Sequence, residues 1–166
     1  MSTLENVAPT ALGGLKVLEI SSMVSAPFCG KLLASLGAEV IKIESPKTGD
    51  PSRRRGPFPD DVPHLERSGM FLYLNTGKKS ITLNLDDQQG RIILWELTTK
   101  VDVLVHDLPP SRATELGIGQ KRLAEERPDL IATAITPYGS TGPYSEYQAN
   151  DVNIFHAGGE GNLLPN

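Results

Sequence analysis

Apolar and polar positions alternate in blocks along this chain, and the blocks change period. LKVLEIS (Leu15–Ser21) is a short apolar run and predicts a strand. APFCGKLLASLG (Ala26–Gly37) follows with Pro27 in a first turn and Gly37 at a C-cap, the signature of a helix. Leu32, Leu33 and Leu36 share one face of that helix and are expected to pack on a sheet. AEVIKIE (Ala38–Glu44) predicts the next strand. Strand, helix and strand within roughly 30 residues make a βαβ unit, with parallel strands and a right-handed crossover.

The pattern then breaks. SPKTGDPSRRRGPFPDDVPHLERSG (residues 45–69) is rich in Pro, Gly and charge, and a loop this long inside a compact domain points to function or mobility. MFLYLN predicts a helical turn, KSITLNL (79–85) a strand, and DDQQGRIILWELTTK an amphipathic helix with an acidic start. VDVLVHDL (101–108) reads as a buried strand, PSRATELG and IGQKRLAEERP as two short helices, and LIATAITPYG (130–139) as a further strand. After the loop STGPYSEYQAN, a last helix opens at NDVNIFHAGG with Asn150 or Asp151 as its cap. About five mainly parallel strands with helices on both faces define an α/β class. No internal repeat is visible.

Length and composition narrow the picture. A chain of 166 residues suits one domain. A net charge of −4 supplies no basic field for nucleic acid or a membrane surface. The single cysteine, Cys29, rules out an internal disulfide and fits a reducing cytoplasm. No apolar run approaches a membrane span, and the first residues lack a signal peptide's pattern.

A second strand ending on an acid, Glu44, is where a dinucleotide fold holds a ribose. That fold needs glycines in the first βα turn, and SSMVSAPF has none, so NAD and FAD are not expected and Glu44 reads as a solvated strand end. Gly158, Gly159 and Gly161 could cradle a phosphate, but without a P-loop's lysine and hydroxyl a turn or close helix contact is favoured. Arg53, Arg54 and Arg55 are either a solvated face or a phosphate-pairing cluster. Cys29 reads as a buried small apolar residue and Asp151 as a capping carboxylate, while His64, His106 and His156 have no metal-ligand spacing.

Five stretches taken in order carry a resemblance that none carries alone. They are LKVLEISSMVSAPFCGKLLASLGAEVIKIESPKTGDPSRRRGP, LNTGKKSITLNLDDQQGR, VDVLVHDLPPSRATELG, RPDLIATAITPYGSTGPY and NDVNIFHAGG. From about Leu15 onward the chain resembles the class III CoA-transferases, the CaiB/BaiF family, which includes formyl-CoA transferase, carnitine CoA-transferase and the α-methylacyl-CoA racemases. The resemblance implies a Rossmann-like sheet, incomplete relative to the full family fold. Residues 1–14 would form a flexible N-terminus and residues 15–166 the N-terminal CoA-binding part of the large domain, with the second domain and C-terminal part absent.

It further implies coenzyme A or acyl-CoA as substrate and a free carboxylic acid as acceptor, with no metal and an interlocked homodimer in the full-length family. The implied CoA contacts are Val24 and Ser25, then Leu83, Asn84, Leu85 and Asp86, then Asp107, Leu108 and Pro109, and finally Gln148 and Asn150. Ser45, Asp86 and Glu115 stand where the family often carries basic residues, and Arg53, Arg54 and Arg55 or Arg112 are candidate replacements. The family's catalytic aspartate is expected a short way beyond Asn166, so this polypeptide alone is expected to be inactive. Asn150 stands where racemases of the family place a catalytic histidine, which disfavours a racemase or epimerase. A non-catalytic CoA-binding or assembly module is the remaining alternative.

Overall fold

The computed structural model describes residues 10–163. The expected flexible N-terminus lies outside them as far as residue 9, and a turn beginning at Ala11 then leads into the first strand. The strands are β1 (Lys16–Ile20), β2 (Glu39–Glu44), β3 (Lys79–Thr82), β4 (Val103–His106) and β5 (Ile131–Ala134). The helices are α1 (Ser25–Ser35), α2 (Gly69–Asn75), α3 (Gln88–Thr98), α4 (Pro110–Glu115), α5 (Gln120–Glu126) and α6 (Asp151–Ala157). All neighbouring strands pair in parallel in the order β3-β2-β1-β4-β5, with Ile20 in register with Ile43 on one side and His106 on the other. The expected α/β architecture is therefore observed.

Strand alternation sends alternate side chains into two cores. Val17, Val40, Val103 and Val105 pack beneath α1 with Ala26 and Ala38. Leu18, Ile20, Ile43 and Leu104 face the opposite side, where α3, α4 and α5 cover them with Leu94, Ala113 and Leu123. The central strands are buried on both faces, as parallel sheets require, and the edge strands β3 and β5 are short and mostly exposed. They end sooner than the apolar pattern predicts. Past Thr82 the Asn84 side chain takes the Asp86 N–H and Asp87 caps α3. Past Ala134, Pro137 has no N–H to offer and Gly139 turns the chain at a φ of +80°.

Helix α1 corrects the expected packing face. Leu33 packs on the core, but Leu32 and Leu36 are 49% and 50% exposed. The residues turned inward are small, namely Ala26, Pro27 and Gly30. The reason is proximity, because a Cβ on Gly30 would lie 1.9 Å from Glu19 Oε2. Cys29 is partly rather than fully buried at the edge of the same core.

The long segment 45–69 is ordered by its own polar groups. Two 3-10 turns, Pro51–Arg54 and Pro59–Asp61, punctuate it. Asp50 accepts the N–H of Ser52 at 2.8 Å, while Ser68 Oγ donates to the Ser52 carbonyl at 2.7 Å and accepts the Phe71 N–H at 3.1 Å as the cap of α2. Gly30→Ala is expected to destabilise the chain by about 1–3 kcal/mol through overpacking. Leu32→Ala, on the outer face, is expected to cost under about 1 kcal/mol. Urea unfolding followed by circular dichroism reads both, and equal midpoints for the two variants would contradict this packing.

Candidate ligand site at the sheet's switch point

Strands β1 and β4 are neighbours, yet the chain leaves β1 for α1 on one face and β4 for α4 on the other. Connections that diverge this way open a crevice outside the carboxyl ends of the strands. A cavity of about 250 Å³ lies there, bounded by residues 20–22, 43–45, 83–86 and 107–108, with Gly49, Asp50 and Arg112.

Beside the cavity is a buried ion network. Alternation puts Glu19 and Lys42 on the face carrying Val17 and Val40. Lys42 Nζ lies 3.0 Å from Glu19 Oε1 and 2.9 Å from Asp50 Oδ2, and donates to the Ser21 carbonyl at 2.8 Å. Lys78 Nζ lies 2.7 Å from Glu19 Oε2 and donates to the Pro27 carbonyl at 2.7 Å. All four charged side chains are essentially inaccessible, and two cations balance two carboxylates. Burial lowers the Lys78 ammonium against the pull of Glu19. Burial pushes the Asp50 carboxyl up, but Lys42 and Ser52 outweigh it and hold the group below its ordinary value.

A second layer corrects the reading of Glu44. It is not solvated, being 6% exposed. Arg53 grips it in a fork, with Nε and Nη2 each 2.8 Å from a carboxylate oxygen, while Ser80 Oγ donates at 2.7 Å and the Asp50 N–H at 2.9 Å. Burial favours the neutral acid, but these donors prevail and hold its pKa at about 2. A ribose hydroxyl would find both oxygens of this carboxylate already bonded.

The expected contact residues separate in space. Leu83, Asn84, Leu85, Asp86, Asp107 and Leu108 come together around the cavity. Asp107 Oδ2 accepts the N–H of Ser22 at 2.7 Å, and burial keeps its carboxyl above the usual range. Val24 and Ser25 begin α1, and Pro109 precedes α4; none of the three lines the cavity. Gln148 and Asn150 lie exposed ahead of α6, where Asn153 Oδ1 accepts the Asn150 N–H at 3.2 Å, so Asn150 and not Asp151 occupies the cap.

The arginine run divides. Arg53 also reaches Glu66 at 3.0 Å and stacks 3.6 Å over the Phe71 ring, whereas Arg54 and Arg55 are exposed outside the cavity. Gly158 ends α6 and Gly159, at a φ of +85°, starts the 3-10 turn Glu160–Asn162. Among the described residues no group of three or more His, Cys, Asp or Glu could hold a metal ion, and no helix is long and apolar enough to cross a membrane.

Sequence reasoning missed Glu19, Lys42, Asp50, Lys78 and Ser22. The signal was present for the first two, since a charge inside each of LEI and IKI must point into a buried face of a central parallel strand.

The architecture is that of an open, parallel α/β domain with a ligand crevice at its switch point. The model of CoA-transferase family III matches residues 12–162, and the chain belongs to that family. It is 37% identical over 152 residues to the human (Homo sapiens) succinyl-CoA:glutarate CoA-transferase, covering 91% of this chain and 33% of that protein. It is 38% identical over 141 residues to the acetyl-CoA:oxalate CoA-transferase of Acetobacter aceti, covering 85% and 35%. A CaiB/BaiF family protein from Brucella suis superposes with a TM-score of 0.79 at 35% identity, over 90% of this chain and 39% of that one. The chain thus spans about a third of the length of the curated relatives it matches.

The Glu44 cluster carries a pH signature. Its folded pKa is depressed from 4.5 to about 2, so its stabilisation is complete above pH 4.5 and is lost as pH falls towards 2. Glu44→Gln is expected to lower stability at neutral pH by about 3 kcal/mol, because it leaves Arg53 without its buried partner. Melting temperatures measured from pH 7 to pH 2 should converge for wild type and variant at the acid end. A constant gap across that range would count against the arrangement.

Proposed function

We propose that the switch-point crevice receives coenzyme A and that this chain is the CoA-binding frame of an enzyme moving CoA from an acyl-CoA to a free carboxylic acid. The observation that carries the reading is the crevice itself, whose dinucleotide-type acid, Glu44, is bonded within the protein, in a chain belonging to CoA-transferase family III. The adenosine end of CoA enters between β1 and β4, where Ser22 and Asp107 offer polar groups and Leu83, Leu85 and Leu108 offer apolar surface. Val24, Ser25 and Pro109, at the rims of α1 and α4, flank the path of the pantetheine arm. Gln148 and Asn150 extend the contact toward the thioester.

The proposed chemistry of the full-length protein is covalent. A carboxylate attacks the thioester carbonyl, the C–S bond breaks, and the products are an acyl–enzyme anhydride and CoA thiolate. The thiolate then attacks the enzyme's side of the anhydride, releasing the acyl group as its carboxylate and leaving an enzyme–CoA thioester. An acceptor carboxylate reverses both steps and departs as its CoA ester. No residue among 10–163 is assigned as the attacking carboxylate. The full-length protein is proposed to work as a homodimer.

Calorimetric titration of the purified chain tests the reading. Saturable binding of coenzyme A, with NAD⁺ giving no heat at the same concentrations, is the expected outcome. A folded chain that ignores CoA, or that takes NAD⁺ equally well, would sink it.

A further inference from the structure

The cavity wall is chemically lopsided. Glu44, Asp50, Asp86 and Asp107 line it, and among the described residues Arg112 is the one basic side chain that does. Glu44 and Asp50 are paired with Arg53 and Lys42 from outside the lining. Arg53 is held on two sides and only 14% exposed, so it is committed to the protein. A polyanionic ligand entering here therefore has one cation to meet.

Arg112 is held in a way that can be undone. Its Nη1 lies 2.7 Å from Glu115 Oε2, and its Nη2 is paired with Asp86. Glu115 has a second cation, Arg91, at 3.0 Å, so it stays paired when Arg112 turns away. Arg91 also donates to the carbonyls of Leu85 and Asp86, at 3.1 and 3.3 Å, and so holds the loop without help from the Asp86 side chain. That side chain is 81% exposed. An exposed carboxylate is a screened and weak partner, whereas a terminal phosphate monoester, such as the one on the ribose of CoA, brings more charge and three acceptor oxygens.

We infer that Arg112 is the residue that takes a phosphate of the bound nucleotide, and that Asp86 is the exposed carboxylate which the phosphate displaces. This assignment rests on the CoA reading above. Arg112 thus selects phosphorylated over unphosphorylated adenosine ligands, and Asp86 sets how tightly they are held. Arg54 and Arg55 have no part in it.

The test is calorimetric titration with coenzyme A and with adenosine, using wild type, Arg112→Gln, Asp86→Asn, the double variant and Arg54→Ala/Arg55→Ala, each checked for folding by circular dichroism. Asp86→Asn is expected to bind CoA roughly two- to fivefold more tightly, the fold-change that corresponds to a screened ion pair. Arg112→Gln is expected to weaken CoA by roughly tenfold or more, to leave adenosine unchanged, and to flatten the salt dependence of CoA binding. The double variant should stay weak, since a recovery to wild-type affinity would mean that Asp86 merely repels the ligand once Arg112 is gone. Wild-type CoA affinity in Arg112→Gln, weaker binding in Asp86→Asn, or a large loss in the Arg54→Ala/Arg55→Ala variant would overturn the assignment while leaving the CoA reading intact. Absence of CoA binding by every form would remove both.

Discussion

One ammonium group, that of Lys42, lies between two carboxylates that belong to different parts of the chain. Glu19 comes from β1 and Asp50 from the segment after β2, so the pair of contacts ties the first two strands to the long loop that follows them. Lys78 extends the tie from Glu19 to the end of α1's first turn and to Asn75. Such a cluster adds little to stability relative to a well-packed apolar core, because each charge gives up its water. Removal of one member is far more damaging, since it strands the others. The cluster also sets the packing of α1, whose Gly30 lies against Glu19 with no room for a side chain. The exposure of Leu32 and Leu36 is the consequence on the far side of the same helix.

The buried network lies at the base of the crevice, and more exposed ion pairs stand at its lip. Asp50 is held by Lys42, and it holds in turn the N–H groups of Ser52 and of Met23, which precedes α1. Glu44, clasped by Arg53, Ser80 and the Asp50 amide, fixes the end of β2 against β3. The turns after β1 and β2 are thereby positioned before any ligand arrives, which favours binding by lowering its entropic cost. At the lip, Arg112, Asp86, Glu115 and Arg91 form a chain of pairs between half-buried arginines and exposed carboxylates.

A second cavity, about 630 Å³, lies against β5, α4 and α5 and includes His106. It is the larger of the two, but size alone does not make a site. Burial there holds His106 below its ordinary pKa, and its Nδ1 accepts the Leu108 N–H at 3.3 Å. The smaller cavity has the convergent polar groups and the position at the switch point that ligand sites in open α/β sheets share.

The apolar blocks, the glycine that ends α1 and the proline that opens it were enough to read five strands, their parallel pairing and the α/β class. These are local signals, set by backbone geometry and by which residues avoid water. The ordered stretches were also enough to place the chain in its family, and the resemblance they carry pointed to residues 83–86 and 107–108, which the sheet brings around one cavity at its strand ends. What remained hidden depends on partners distant in sequence. A run of three arginines carries no mark that Arg53 will turn onto Glu44 while its neighbours stay in solvent. An acid at a strand's end does not reveal that a loop nine residues on will bury it. The leucines of α1 read as a core face because hydrophobicity was the visible cue, whereas the space left by a buried carboxylate determined which residues could approach the sheet. Electrostatic pairing and steric clearance are properties of the assembled chain, and only the tertiary structure could decide them.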